Sequence, residues 1–104
     1  MFQKKKKDNY EITKKEFEEI KDQALLIDVR DPEEFQILKK IPNSINIPYR
    51  KLIADPTKFI PDKEAIVVTI CNAGHRSTAA AQSLREQGYA NSYVLMLGIY
   101  GYYK

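Results

Sequence analysis

Two nearly continuous apolar blocks dominate the chain, Ala24-Leu25-Leu26-Ile27-Asp28-Val29 and Ala65-Ile66-Val67-Val68-Thr69-Ile70. Each is too short for a helix and apolar at successive positions, the pattern of a parallel strand buried on both faces. The second is β-branched along most of its length, which favours extended backbone further. Ile45-Asn46-Ile47, ahead of Pro48, alternates as a short strand, and residues 92–95 read as a last one.

Helical patterns fill the intervals. Thr13 with Glu16 three residues later makes a capping box, and Phe17 and Ile20 mark one apolar face, so the spacing predicts a helix over 14–21. Asp31, Pro32 and Glu34 open a second, brief helix, with Glu33 and Glu34 suited to its positive end. Residues 49–59 are weakly helical and interrupted at Asp55-Pro56. From Ser77 to Gln87 the residues are good helix formers, with Ala80, Ala81 and Leu84 on one side and Gly88 as the stop. Ser77 and Thr78 are its candidate N-caps. Strands alternating with helices predict an α/β fold, an open parallel sheet with helices on both faces. In such sheets ligands bind beyond the carboxyl ends of the strands.

Charge changes this picture little. Removing Lys4, Lys5, Lys6 and Lys7 takes the formal net charge from +3 to −1, so the basic balance belongs to a tail over residues 1–9 and the expected domain runs over 10–104. Nucleic acid and anionic membranes are therefore not expected partners. There is no apolar run of about 18 residues, and the lysines lead into Asp8, Asn9 and Tyr10 rather than into the apolar core of a signal peptide. A cytoplasmic protein is expected. Its one cysteine excludes an internal disulfide and a multi-cysteine metal site.

That cysteine stands where the strongest strand meets the strongest helix, in Cys71-Asn72-Ala73-Gly74-His75-Arg76-Ser77. Backbone N–H groups of such a turn converge on a point above the sheet and form an anion cradle. Gly74 permits the tight turn, and Ala73 leaves room for it to close around a ligand. A thiol among these donors, beside a helix N-terminus and a guanidinium, is expected to titrate below about 8.5 and to act as a nucleophile without a separate base. Arg76 either orients an anionic donor or ties the loop, and His75 shapes the substrate site at most. A small buried hydrophobe is the bland reading of Cys71, and its position in the loop outweighs it.

Leu26-Ile27-Asp28-Val29-Arg30-Asp31-Pro32-Glu33-Glu34-Phe35, Ile41-Pro42-Asn43-Ser44-Ile45-Asn46-Ile47-Pro48 and the Cys71 loop, in this order, resemble the rhodanese family over nearly the whole chain. The resemblance implies a sheet of about five parallel strands and a double displacement in which Cys71 carries sulfane sulfur as a persulfide, with no metal or organic cofactor. Asn72, Ala73, Gly74, His75, Arg76 and Ser77 then form the substrate loop, with Asp28 and Arg30 supporting it. Thiosulfate or a persulfide is the implied donor, and a thiol, cyanide or a sulfur-carrier protein the implied acceptor. A binding or regulatory module with little turnover is the second reading. A cysteine phosphatase or arsenate reductase is the third, disfavoured because four residues separate Cys71 from Arg76 and the related phosphatases have one more.

The chain departs from the family pattern in places. Lys39-Lys40 precede Ile41 where glycine-histidine is usual, Leu97-Gly98-Ile99 replaces a glycine pair, and Tyr102 replaces a tryptophan. Tyr100, Tyr102 and Tyr103 are expected to pack over the sheet rather than to form an exposed surface. The last residue, Lys104, follows soon after, which points to a short terminal segment and a more open active-site side.

Overall fold

The computed structural model describes residues 10–104; the lysine tail lies outside the described residues. Five strands form one parallel sheet: β1 (Glu11–Ile12), β2 (Leu25–Asp28), β3 (Ile45–Asn46), β4 (Val67–Ile70) and β5 (Ser92–Leu95). Their spatial order is β1-β5-β4-β2-β3. The helices are α1 (Lys14–Ile20), α2 (Pro32–Ile37), α3 (Tyr49–Ala54), α4 (Pro56–Phe59), α5 (His75–Glu86) and α6 (Gly98–Tyr102).

Side-chain alternation explains how one short sheet supports two cores. On β4, Val68 and Ile70 join Leu26, Tyr93 and Leu95 in a cluster completed by Phe17 and Ile20 of α1 and Ile99 of α6. Val67 and Cys71 belong to the opposite cluster, with Ile27, Val29, Leu52 of α3, and Ala80 and Leu84 of α5. Helices therefore cover both faces, and the continuous apolar runs are strands buried on each side.

The capping box of α1 forms as expected: the Glu16 N–H donates to Thr13 Oγ1 at 3.1 Å and the Thr13 N–H to Glu16 Oε1 at 2.9 Å. The weak stretch over 49–59 resolves into α3 and α4, divided at Asp55 before Pro56.

Two elements have no counterpart in the hydrophobic pattern, the edge strand β1 and the terminal helix α6. One boundary also moves. Helix α5 begins at His75, not Ser77, and its N-cap is Gly74, so neither Ser77 nor Thr78 caps it. Gly74 takes the position because φ there is +115°, a conformation that side-chain-bearing residues rarely adopt. Of the terminal tyrosines, Tyr102 packs edge-on against Phe17 with ring centroids 5.7 Å apart. Tyr103 packs edge-on against Tyr102 with centroids 5.0 Å apart, and its hydroxyl donates to the Lys40 carbonyl at 2.7 Å, whereas Tyr100 is 64% exposed, which corrects the expectation of packing for that residue.

Strand order places the site. From β2 the chain moves outward to β3, then returns to the other side of β2 to form β4. The order thus reverses between β2 and β4, and the carboxyl ends of neighbouring strands at such a reversal open a crevice. Asp28 ends β2 and Cys71 follows β4 directly, so the crevice carries both sequence motifs.

Candidate active site

The site is built on a buried ion pair. Asp28 and Arg30, two residues apart at the end of β2, are both 0% exposed. Arg30 Nη2 donates to Asp28 Oδ2 at 2.8 Å and Nε to Oδ1 at 3.0 Å, a planar fork on a carboxylate. Nη2 also meets the Lys39 carbonyl at 3.1 Å and Nη1 meets Asn72 Oδ1 at 2.9 Å. Burying two charges costs several kcal/mol per ion unless the geometry and additional hydrogen bonds offset it, and here they are present. Asn46 Nδ2 donates to the carbonyls of Asp28 and Arg30 at 3.0 and 2.9 Å, holding the turn from the neighbouring strand.

Asn72 relays this anchor to the loop. Its amide oxygen accepts from Arg30, and its Nδ2 donates to Glu34 Oε2 at 3.2 Å, so only one orientation of the amide satisfies both neighbours. Glu34 in turn grips Arg76 bidentately, with Nη1 to Oε1 at 2.7 Å and Nη2 to Oε2 at 3.0 Å. It also accepts the Asp31 N–H at 3.0 Å at the start of α2. Of the two roles open to Arg76, the structure places its guanidinium in the tie between α5 and α2. Glu34 is the site residue that sequence reasoning missed. It stood out only as a helix-start acid, and nothing local connects it to an arginine 42 positions away.

The Arg76 guanidinium holds the Glu34 carboxyl well below its ordinary 4.5, to about 2, against the opposing effect of desolvation. A lowered folded-state value means that the pairing stabilises the protein above about pH 4.5 and is lost as pH falls towards 2. Glu34→Gln is therefore expected to lower the urea midpoint at neutral pH and to flatten its decline through that acid window. Parallel midpoint-versus-pH curves for the two proteins would contradict the assignment.

Cys71 is 2% exposed, at the floor of the loop. Its sulfur is not treated as a mere hydrophobe by its surroundings: the Gly74 N–H donates to Sγ at 3.1 Å, and Ser77 Oγ lies 3.3 Å away. Ser77 Oγ also reaches the Gly74 carbonyl at 3.2 Å. Its single proton serves that carbonyl when the sulfur is a thiol and can turn to the sulfur when it is charged. Because α5 starts at an N-cap glycine with no side-chain cap, the N–H groups of His75, Arg76 and Ser77 have no acceptor within the helix. They face the same end of the fold, where the helix dipole favours negative charge. Thr69 Oγ1 donates to the Ser77 carbonyl at 2.8 Å and fixes this first turn to β4.

Helix α6 braces the loop from behind. The Ile99 N–H donates to the Cys71 carbonyl at 2.9 Å and the Tyr100 N–H to the Asn72 carbonyl at 3.1 Å. The approach demands glycine at 98, since φ is +58° and a Cβ would sit 2.4 Å from the Cys71 carbonyl oxygen. Gly98→Ala is expected to displace the loop and destabilise the fold by roughly 2 kcal/mol or more, read from chemical denaturation. An unchanged midpoint would show that the loop tolerates the shift.

The resulting arrangement is a buried thiol that accepts the Gly74 N–H beside the uncapped start of α5, in a loop tied to β2, α2 and α6, with no metal-ligating cluster among the described residues. The family model for the rhodanese-like domain matches residues 12–104. The chain belongs to the rhodanese-like domain family.

The rhodanese-like chain is 38% identical over 65 residues to the thiosulfate sulfurtransferase PspE of Escherichia coli, an alignment covering 62% of each. It is 38% identical over 73 residues to the adenylyltransferase and sulfurtransferase MOCS3 of Drosophila persimilis, covering 65% of this chain and 16% of that protein. The chain thus spans about three fifths of the first relative and about one sixth of the second. Among solved structures, a rhodanese-related protein from Thermoplasma volcanium superposes with a TM-score of 0.77 at 31% identity, covering 90% of both chains. The five-stranded parallel sheet is the architecture of this family. Among the described residues no helix is long and apolar enough to cross a membrane.

Proposed function

We propose that this rhodanese-like domain is a sulfurtransferase that moves sulfane sulfur from thiosulfate or a persulfide donor to a thiophilic acceptor through a Cys71 persulfide. The observation that carries the reading is the placement of Cys71 Sγ, directly after the central strand and bonded by the Gly74 N–H at the uncapped start of α5. The names of its relatives point the same way.

In the first half-reaction the Cys71 thiolate attacks the outer sulfur of thiosulfate. The S–S bond of the donor breaks, its electron pair departs on sulfite, and Cys71 is left as a persulfide. Negative charge now rests on the outer sulfur, one bond further from the backbone, where the orphan amides of the first turn of α5 are positioned to stabilise it. Asn72, Glu34 and Arg76 hold the ring at a fixed diameter. In the second half-reaction a thiol, cyanide or the terminus of a sulfur-carrier protein takes the outer sulfur and restores Cys71. No cofactor has a step to perform. The nucleophile must stay reduced between turnovers, which fits the cytosol.

Two half-reactions that share one covalent intermediate give ping-pong kinetics. Initial rates with thiosulfate varied at several fixed concentrations of a thiol acceptor are expected to give parallel double-reciprocal lines. Intersecting lines, or the absence of turnover with any sulfane donor, would contradict the reading. Ser77→Ala is expected to slow alkylation of Cys71 by iodoacetamide about threefold or more, because the hydroxyl that can follow the charge on sulfur is gone. Equal rates would place Ser77 outside the machinery.

A further inference from the structure

Beside the Cys71 loop lies a cleft of about 200 Å³. One wall is the start of α5, with Gly74, His75 and Thr78; the other is the end of β5 with Met96 and Leu97, and Glu11 of β1 completes the lining. Gly74 belongs both to this wall and to the sulfur's hydrogen bonds, so one residue links the cleft to the reacting atom. Met96 and Leu97 are 38% and 66% exposed, an apolar surface held open to solvent.

The charge lining the cleft is unexpected for a site that takes an inorganic dianion. Among the described residues no lysine or arginine lines it, and the one fixed charge among them is the Glu11 carboxylate. The guanidinium of Arg76, next to His75 in the chain, is turned into its pair with Glu34. Thiosulfate or sulfite would meet a like charge here. A small thiol with a short hydrocarbon body and an ammonium group would meet the opposite, with its methylene groups against Met96 and Leu97 and its charge towards Glu11. The volume is several times the roughly 30 Å³ that one water occupies in the liquid, enough for such a molecule.

We propose that this cleft seats the sulfur acceptor, a cationic aminothiol, and that Glu11 determines the preference. The proposal rests on the sulfur-transfer reading above. In the step it serves, the acceptor sulfur attacks the outer sulfur of the Cys71 persulfide, the S–S bond to Cys71 breaks, and its electron pair returns to Sγ. The proton lost by the acceptor thiol is taken up by Cys71, so that thiol and protein persulfide become persulfide and protein thiol with no net oxidation.

The test separates the two readings. The full chain is loaded with thiosulfate, and loading is confirmed by intact mass in each variant. Release of the outer sulfur is then timed with 2-aminoethanethiol, 2-mercaptoethanol and 3-mercaptopropionate, in the wild type, Glu11→Gln and Glu11→Lys. Intrinsic thiol reactivity cancels in the ratio of the amine to the carboxylate acceptor compared across variants. That ratio is expected to fall about threefold in Glu11→Gln and further in Glu11→Lys, and the difference to fade as ionic strength rises. Normal loading with ratios unchanged across the variants would overturn the acceptor site alone. Failure of the wild type to load would overturn the sulfur-transfer reading and the acceptor site with it.

Discussion

Cys71→Ser is expected to lower sulfur-transfer turnover by at least about a thousandfold, to the level of the uncatalysed background. A serine hydroxyl offers neither a soft anion nor a bond to sulfur that a thiol acceptor can cleave. The fold should persist, because serine is close to cysteine in size and its Oγ can take over the hydrogen bond from Gly74 and the contact with Ser77. Circular dichroism and a melting curve near that of the wild type would establish this. The substitution also distinguishes catalysis from a binding module, in which partner affinity survives and there is no turnover to lose. Measurable turnover retained in Cys71→Ser would remove Cys71 from the mechanism.

Arg30→Met is expected to be the most destabilising single change near the site. Truncating one member of a buried pair leaves the other charge without compensation, and such breaks cost about 3–5 kcal/mol. Here the loss extends beyond Asp28, since Asn72 Oδ1 and the Lys39 carbonyl also lose their donor. For a domain of this size each kcal/mol lowers Tm by about 4–8 °C, so the drop is expected to exceed roughly 12 °C. Arg30→Lys should rescue little, because an ammonium cannot reproduce the fork that meets Asp28, Asn72 and Lys39 together. A small shift for Arg30→Met would mean that the pair is replaceable and that the loop draws its order from Glu34 and α6 instead.

The parts legible in the sequence are those whose cause is local or periodic. Strands β2 and β4 announce themselves because both faces are buried, and the capping box of α1 because its two partners are three residues apart. The position of Cys71 followed from β4 and α5, and with it the crevice. Edge strand β1 was hidden because two residues carry no period. Helix α6 was hidden because glycines and tyrosines are poor helix formers, and its role comes from contact with the Cys71 and Asn72 carbonyls. The start of α5 was misplaced by two residues because serine and threonine are commoner caps than glycine, while the backbone at residue 74 required positive φ. The Glu34–Arg76 tie is a tertiary pairing with no local signature, its partners 42 positions apart.

The persulfide itself is the most direct test of the central claim. Wild-type protein incubated with thiosulfate at neutral pH, freed of excess donor and weighed intact under non-reducing conditions is expected to gain the mass of one sulfur atom. The gain should localise to the peptide containing Cys71 and disappear on adding cyanide or a thiol. Protein that keeps its unmodified mass with thiosulfate and with low-molecular-weight persulfides, while its thiol remains free to alkylate, would contradict sulfur transfer through Cys71.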